Sequence, residues 1–255
     1  MMKNSVLNGL LLGAFVFGTV ASAGEQFSMS DKDRAMYEDM DNPAEIYVEE
    51  AEEIFDKLGG EKYLASFLGV PQKELTHYLA GFPRYIEKLK NVVGIDQVMQ
   101  VIQVEKGRPK EPLNSEEMNA LVAYVKGLAN DENITIDIDA NKKMQEAYAL
   151  GKELFEKRRG RRGLSCLSCH QVDGIILRTQ RVPHLGSIGT GATWPAYRMT
   201  KGKMSSMQKR FQGCMDDALQ ASLPLGSKEM VALEVYLTHE AKEKQKVIAV
   251  PGLKR

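Results

Sequence analysis

Apolar and polar residues follow one another along several stretches of this chain with the spacing of amphipathic helices. The stretch PLNSEEMNALVAY covers residues 112–124 and PLGSKEMVALEVY covers residues 224–236. In each, acidic residues follow a serine, and apolar residues then recur every three or four positions; a serine in this place is a typical helix N-cap. The stretch SSMQKRFQGCMDDAL, residues 205–219, has the same apolar spacing. These patterns predict a mainly α-helical protein.

The chain contains an internal repeat. FPRY at 82–85 recurs as WPAY at 194–197, and the helical stretch at 112–124 recurs at 224–236, both at an offset of 112 residues. Upstream, AEEIFDKLGG resembles GKELFEKRRG at an offset of 100, so the second copy carries twelve additional residues. Matches in this order indicate two tandem copies of one structural unit.

The boundary between the copies is predicted in the polar segment 129–141. Ile134, Ile136 and Ile138 alternate with polar residues there, which favours a linker with one short strand pair. We therefore expect one unit at residues 24–135 and a second at 136–255.

Residues 1–23 have the features of a cleavable export signal. Lys3 precedes an apolar run, and the segment ends in Ala21-Ser22-Ala23, a small-residue cleavage pattern. No later stretch approaches about 18 consecutive apolar residues, so we expect no membrane span. The interpretation that follows is export to a bacterial periplasm.

Charge is distributed unevenly although its sum is zero. Residues 25–56 hold twelve acidic and two basic residues, whereas residues 157–210 hold twelve basic residues and one acidic residue, Asp173. The basic segment is expected to attract anions.

Nucleic acid is not an expected partner, because the basic residues lack interleaved aromatic residues and a binding motif. KRRGRR at 157–162 is interpreted most simply as a solvated loop, with a docking site for an acidic partner as the alternative.

The residues CLSCH, 166–170, carry the clearest chemical signal. Cys-x-x-Cys-His is the attachment motif of a c-type haem. On one helical turn, Cys166 and Cys169 can each form a thioether while His170 binds the iron. A zinc site remains the alternative, and its further ligands would be Cys214 and His184.

The sixth iron ligand decides what such a haem does, and the residues leave it open. A methionine is usual for an electron carrier, although the methionines here also suit an apolar core. Cys214 is a third, unpaired cysteine on the apolar face of its helix, with Arg210 one turn before it. It is either an inert core residue or a ligand or reactive thiol. The candidates are His184, His239, Met199, Met204, Met207, Met215, Met230 and Cys214.

The run KRFQGCMDDALQASLPLGSKEMVALEVYL, after CLSCH and WPAYRM, resembles the C-terminal haem domain of the SoxA family, cytochrome subunits of L-cysteine S-thiosulfotransferase. The resemblance implies two tandem cytochrome c-like domains, the first degenerate and without haem, and one covalently bound haem c in the second. It implies haem attachment through Cys166, Cys169 and His170, with Cys214 as distal ligand, carried as a persulfide, and Arg210 beside it. The family's further arginine, five residues past the cysteine, is Leu219 here.

The activity implied by the resemblance is oxidative coupling of thiosulfate to a cysteine of a carrier protein, SoxY of the SoxYZ pair. Two electrons would leave through the haem and a small SoxX-like cytochrome c subunit. Two alternatives stay open on the residues: a monohaem electron carrier with a methionine ligand and no chemistry at Cys214, and a haem-based sensing module with an open sixth position.

Overall fold

The computed structural model describes residues 41–170, 175–177, 180–182, 190–244 and 246–254. The predicted export signal, residues 1–23, and the candidate ligand His184 lie outside these residues. We call residues 41–135 the first half and residues 136–254 the second half. Both are rich in helix, as the sequence predicts, and their strands are three residues long.

The first half contains five α-helices and one antiparallel strand pair among the described residues. Two of these helices, α4 and α5, have typical N-cap residues. Gly94 precedes α4, and the Ser115 side chain accepts a hydrogen bond from Met118 N at the start of α5. The elements are α1 Glu45–Lys57, α2 Gly60–Leu68, α3 Leu75–Leu79, β1 Arg84–Ile86, β2 Asn91–Val93, α4 Ile95–Glu105 and α5 Glu116–Gly127.

The second half contains four described α-helices. Strands β3 and β4 form an antiparallel pair, and β5 lies between β6, which is antiparallel to it, and β7, which is parallel. The elements are α6 Lys142–Glu156, α7 Cys166–His170, β3 Ile175–Leu177, β4 Gln180–Val182, β5 Ala196–Arg198, β6 Lys203–Ser205, α8 Met207–Asp217, α9 Lys228–Glu243 and β7 Gly252–Lys254.

The sequence repeat is visible as repeated structure. At the offset of 112 residues, β1 falls on β5, β2 on β6, α4 on α8, and the start of α5 on the start of α9. The peptide bonds before Pro83 and Pro195, also 112 residues apart, are both cis. Four consecutive elements therefore recur in the same order and at the same spacing.

The two halves pack through a shared apolar core. Helix α5 contacts β6, and its counterpart α9 contacts β2, so each half places a helix against the other half's hairpin. One core cluster joins buried residues of the first half, such as Leu121 and Ile134, to Val231, Val235 and Ile248 of the second. Burying these residues together stabilises both halves at once.

The predicted linker is wrong in one respect. Ile134 and Ile136 are buried in this core, at 4% and 0% exposed, and no strand pair forms there; Asn133 instead makes an isolated bridge to Val247. The alternation reflects side chains pointing into and out of the core rather than a sheet.

Helices α6 and α9 cross closely at Gly151. A Cβ atom at this position would lie 2.6 Å from the backbone carbon of Ala232 and 2.9 Å from Tyr236 Cβ. Glycine is therefore required for this approach. The crossing positions Leu154 and Phe155 against Tyr236 in a second core cluster that supports the CLSCH helix.

Within the described ranges, no helix has the length and apolar character needed to cross a bilayer.

Candidate functional site

Helix α7 carries the CLSCH motif and begins with a reciprocal serine cap. Ser168 N donates to Ser165 Oγ at 3.1 Å, and Ser165 N donates to Ser168 Oγ at 3.0 Å. These bonds satisfy backbone donors at the helix start, which lets so short a helix form. The Ser-x-x-Ser spacing around the first cysteine is the sequence signal of this cap, and the haem motif alone does not reveal it.

The two cysteines and the histidine of the motif lie together on α7, within about one helical turn. Cys166, Cys169 and His170 are all half-buried, and both cysteines are free thiols. The His170 ring centroid lies 6.3 Å from that of Phe155 on α6. The motif therefore borders the second core, with its reactive atoms only partly covered.

Cys214 lies within electrostatic range of both cysteines of the motif. Burial raises the pKa of the Cys166 thiol to about 11, and Cys214 makes the next largest contribution to this rise. Burial followed by Cys214 also raises the pKa of Cys169. The fold thus brings the lone cysteine of α8 to the two cysteines of α7, from positions 45 or more residues apart in the sequence.

Arg210 lies one turn before Cys214 on α8. The helix starts at Ser206, whose side chain accepts a hydrogen bond from Lys209 N at 3.1 Å. An ideal Cβ at Gly213 would lie 3.9 Å from Arg210 Nη1, so the guanidinium folds back over the residue next to Cys214. Residues 210–214 are all half-buried. Arg210 can therefore present its planar donors to an anion at Cys214.

The loop 157–164 is fastened to the end of α8, which the interpretation as a solvated loop did not anticipate. Arg161 N donates to Leu219 O at 3.1 Å, and Arg162 Nη1 donates to Asp217 O at 2.7 Å. Gln220 Nε2 donates to Leu164 O at 2.6 Å. The backbone is fixed, while Arg158, Arg161 and Arg162 remain exposed. Positive charge is thus held at one edge of the site.

Most of the other candidate ligands that the structure describes are buried, whereas Met199 is half-buried. Four of the five candidate methionines are buried: Met204 lies in a small cluster with Ala44 and Ala123 of the first half, and Met207, Met215 and Met230 fill the second core. His239 packs against Tyr148, with ring centroids 4.9 Å apart, and its Nε2 is 4.0 Å from Glu243 Oε1.

A row of aromatic rings separates His239 from the motif. It runs from His239 through Tyr148, Tyr236 and Phe155 to His170, with successive centroids 4.9 to 6.3 Å apart. His239 therefore lies at the far end of the row from His170 and is not placed to share a metal with it. For zinc, no three His, Cys, Asp or Glu residues of the described ranges are grouped to hold an ion.

The first half has no equivalent of this chemistry among its described residues. The positions 112 residues before Arg210 and Cys214 are Val98 and Ile102, at 0% and 2% exposed in the first core. His77, the histidine of the first half, is exposed on α3. Aliphatic side chains fill the space that the polar pair borders in the second half.

The donor set fits a covalently bound haem c. Two thiols one turn apart and a following histidine are the groups that attach such a cofactor. Half-buried apolar side chains line the edge of the second core at this place: Leu150, Cys166, Phe211 and Leu223. A flat apolar ring system would cover them.

Part of the chain matches a known family model. Residues 150–245 match the family model described as SoxA/TsdA, cytochrome c domain. That match implies haem c as the cofactor of these residues. The resemblance found in the sequence is thereby confirmed.

Several curated relatives carry the name L-cysteine S-thiosulfotransferase subunit SoxA. The Rhodovulum sulfidophilum protein is 28% identical over 84% of this chain and 74% of its own length. The Hydrogenobacter thermophilus protein is 28% identical over 84% and 82%, and the Hydrogenophilus thermoluteolus protein is 36% identical over 54% and 51%.

A solved structure has the same fold. The chain aligns with the crystal structure of SoxXA from P. pantotrophus with a TM-score of 0.70 and 22% identity, covering 89% of this chain and 84% of that one.

Proposed function

Residues 150–245 belong to the SoxA/TsdA cytochrome c domain family, and from this premise we propose that the chain is the catalytic cytochrome subunit of an L-cysteine S-thiosulfotransferase. In this role it couples thiosulfate oxidatively to a cysteine thiol of a carrier protein. The observation that carries the proposal is that Cys214 lies near enough to act on the charge of Cys166, with Arg210 one turn before it on the same helix.

Cys166 and Cys169 would hold the haem through thioether bonds, and His170 would bind its iron. Cys214 of α8 would supply the further sulfur ligand. When bound, the haem supplies one-electron oxidation, and an anionic sulfur ligand favours its ferric state. The core around Phe155 and Tyr236 supports His170 and limits the water that reaches it.

The substrate fits the charge of the site. Thiosulfate is a dianion, and Arg210 can donate to its sulfonate oxygens while its terminal sulfur meets Cys214. The exposed arginines of the loop 157–164 raise the local concentration of anions.

The reaction can be written in two balanced steps at Cys214. First, the Cys214 thiol and thiosulfate would form Cys214–S–S–SO₃⁻: one S–S bond forms, one proton leaves, and one-electron acceptors of the cytochrome class would take the two electrons released. Then the carrier thiolate attacks the sulfur bound to Cys214. The S–S bond to Cys214 breaks, Cys214 leaves as a thiolate, and the carrier keeps –S–SO₃⁻. A persulfide at Cys214 would use the same exchange with one more sulfur.

Partners and location complete the proposal. A small cytochrome c subunit like SoxX would accept the second electron, and a SoxYZ-like carrier would receive the product. The match to the SoxXA crystal structure supports the first, and the exposed arginines support docking of an acidic carrier surface. The first half would be a degenerate cytochrome c-like domain, supported by the structural repeat and by Val98 and Ile102. The predicted export signal supports a periplasmic location.

The test is thiosulfate-dependent loading of the carrier cysteine, followed by mass spectrometry of the carrier. The haem-loaded complex with Cys214→Met keeps a sulfur ligand but has no thiol, and we expect no loading. Absorption spectra first establish that haem is attached in both proteins. Loading at the wild-type rate by the variant would exclude the mechanism. Failure of the wild type to load the carrier, with normal electron exchange with the cytochrome partner, would indicate a simple electron carrier instead.

A further inference from the structure

A cavity between the two halves has a mainly apolar lining that includes three ionisable side chains. Its volume is about 60 Å³, enough for about four water molecules. Equivalent positions of the two halves line it in pairs: Phe82 and Trp194, Val122 and Glu234, Lys126 and Thr238. The cavity therefore lies where the repeat would have its two-fold axis, but its charges are not repeated.

Three ionisable side chains face this cavity from three helices. Asp96 is at the start of α4, Lys126 at the end of α5, and Glu234 in the middle of α9. A Cβ atom on Gly94 would touch Asp96 Oδ1 and would lie 3.6 Å from Glu234 Oε2. Both carboxyl groups therefore lie beside Gly94, near enough for the charge of Asp96 to act on Glu234.

Few protein groups compensate these charges. Asp96 Oδ1 accepts from Gln97 N at 2.8 Å, and Glu234 Oε2 accepts from Gln208 Nε2 at 3.1 Å. Lys126, 8% exposed, donates not to either carboxylate but to Gly191 O at 2.9 Å and Trp194 O at 3.0 Å. Helix α6, which packs on the other side of α9, contributes no charge that acts on Glu234.

The arrangement has more negative than positive charge when all three groups are ionised. Two carboxylates facing each other in a cavity with one ammonium group leave a net charge of −1, which burial makes costly. A proton on one carboxyl group makes the cluster neutral. We propose that Asp96, Glu234 and Lys126 form a proton-binding site that joins the two halves, and that loss of its proton weakens their packing.

The site is connected to the haem side of the molecule through Lys126. Its acceptors, Gly191 and Trp194, lie in the second half, and Trp194 packs in the second core with Phe155, the ring beside His170. A change in the packing of the halves therefore reaches the haem-supporting core through one side chain.

The direction of the pH dependence follows from the carboxyl groups. Burial, followed by Asp96, raises the pKa of Glu234 to about 8, and burial raises the pKa of Asp96 to about 6. A group with a raised pKa binds its proton more tightly in the folded chain, so it stabilises the fold at low pH and less as pH rises through the folded pKa. The free energy of unfolding is expected to fall between about pH 4 and about pH 8, and Glu234 should account for most of this fall.

Lys126 acts in the opposite sense at higher pH. Burial lowers its pKa to about 8, so its contribution to folding rises again as pH increases from about 8 towards its ordinary value. The fall in stability should therefore be confined to the window below about pH 8.

The test is urea unfolding of the haem-loaded chain, followed by circular dichroism, from about pH 5 to about pH 8. We expect the urea concentration at the wild-type unfolding midpoint to fall as pH rises. The size of the fall should correspond to about one proton that the folded chain binds more tightly than the unfolded chain. Glu234→Gln keeps the size and the hydrogen-bonding ability of the side chain but cannot lose a proton, so its profile should be nearly flat. Its midpoint should exceed that of the wild type at about pH 8.

The matched control is Glu229→Gln on the same helix, outside the cavity, which should shift the midpoint uniformly and leave the slope unchanged. A wild-type slope retained by Glu234→Gln would overturn the proposal. If that variant does not fold, infrared spectra of the wild type decide. A protonated carboxyl band at neutral pH that disappears on alkalinisation supports the site, and its absence at neutral pH refutes it.

Discussion

Replacement of Gly151 by alanine tests how firmly the crossing of α6 and α9 supports the haem-binding half. The added Cβ would lie 2.6 Å from the Ala232 backbone carbon and 2.9 Å from Tyr236 Cβ, and closer still to the Ala232 carbonyl oxygen. The obstacle is backbone, so no side-chain rotation can relieve it. Forcing a methyl group into a packed interior costs about 1–3 kcal/mol, with the upper end expected where backbone must move. Alanine recovers about 1 kcal/mol through its higher helix propensity.

The expected net loss for Gly151→Ala is therefore about 2 kcal/mol, which corresponds to a fall in Tm of about 4–8 °C for a chain of this size. The assay is thermal unfolding of the haem-loaded chain by circular dichroism. Gly127→Ala is the matched control, because a Cβ there meets nothing closer than 3.7 Å, and we expect no loss of stability. A Gly151→Ala protein as stable as the wild type would refute the reasoning and would show that the helices can separate at little cost.

Three further substitutions have defined expectations. Ser165→Ala removes the cap of the CLSCH helix and should cost about 1 kcal/mol of unfolding free energy in urea titrations. Asn130→Ala removes two hydrogen bonds to Val250, at 2.7 and 2.9 Å, and should cost about 2 kcal/mol and make the C-terminal segment cleavable by added protease; an unchanged cleavage rate would contradict this. Arg210→Gln should raise the KM for thiosulfate about tenfold or more in the loading assay, whereas Lys209→Gln, exposed on the adjacent position, should change it less than about twofold.

Local signals in the sequence predicted the structure correctly where one segment determines its own conformation. Ser115, Ser206 and Ser227 each cap the helix that the apolar spacing predicted, and each side chain accepts the expected backbone bond. The repeat offset correctly aligned the hairpins and helices of the two halves, because the same local pattern produces the same element. The Cys-x-x-Cys-His spacing requires only one helical turn, and that turn is present.

Features that depend on distant residues were not predictable in this way. Ile134 and Ile136 were interpreted as linker residues because nothing nearby indicates that Val231 and Ile248 cover them. Asp96 and Glu234 are 138 residues apart in the sequence, and their charges come together only when their two helices pack in the fold. In the sequence, a buried aspartate or glutamate cannot be told from one on the surface. The roles of Cys214 and Arg210 stay predictions, because their proximity to α7 defines a site but not its reaction.

The shared core has a consequence for how such a chain can change. Because Val231, Val235 and Ile248 are covered by residues of the first half, removing that half would leave the haem-binding half with an exposed apolar face. The first half is therefore required for packing, with Val98 and Ile102 buried in its own core. A chain shortened to the second half alone should be unstable, whereas substitutions at the surface of the first half leave the shared core intact.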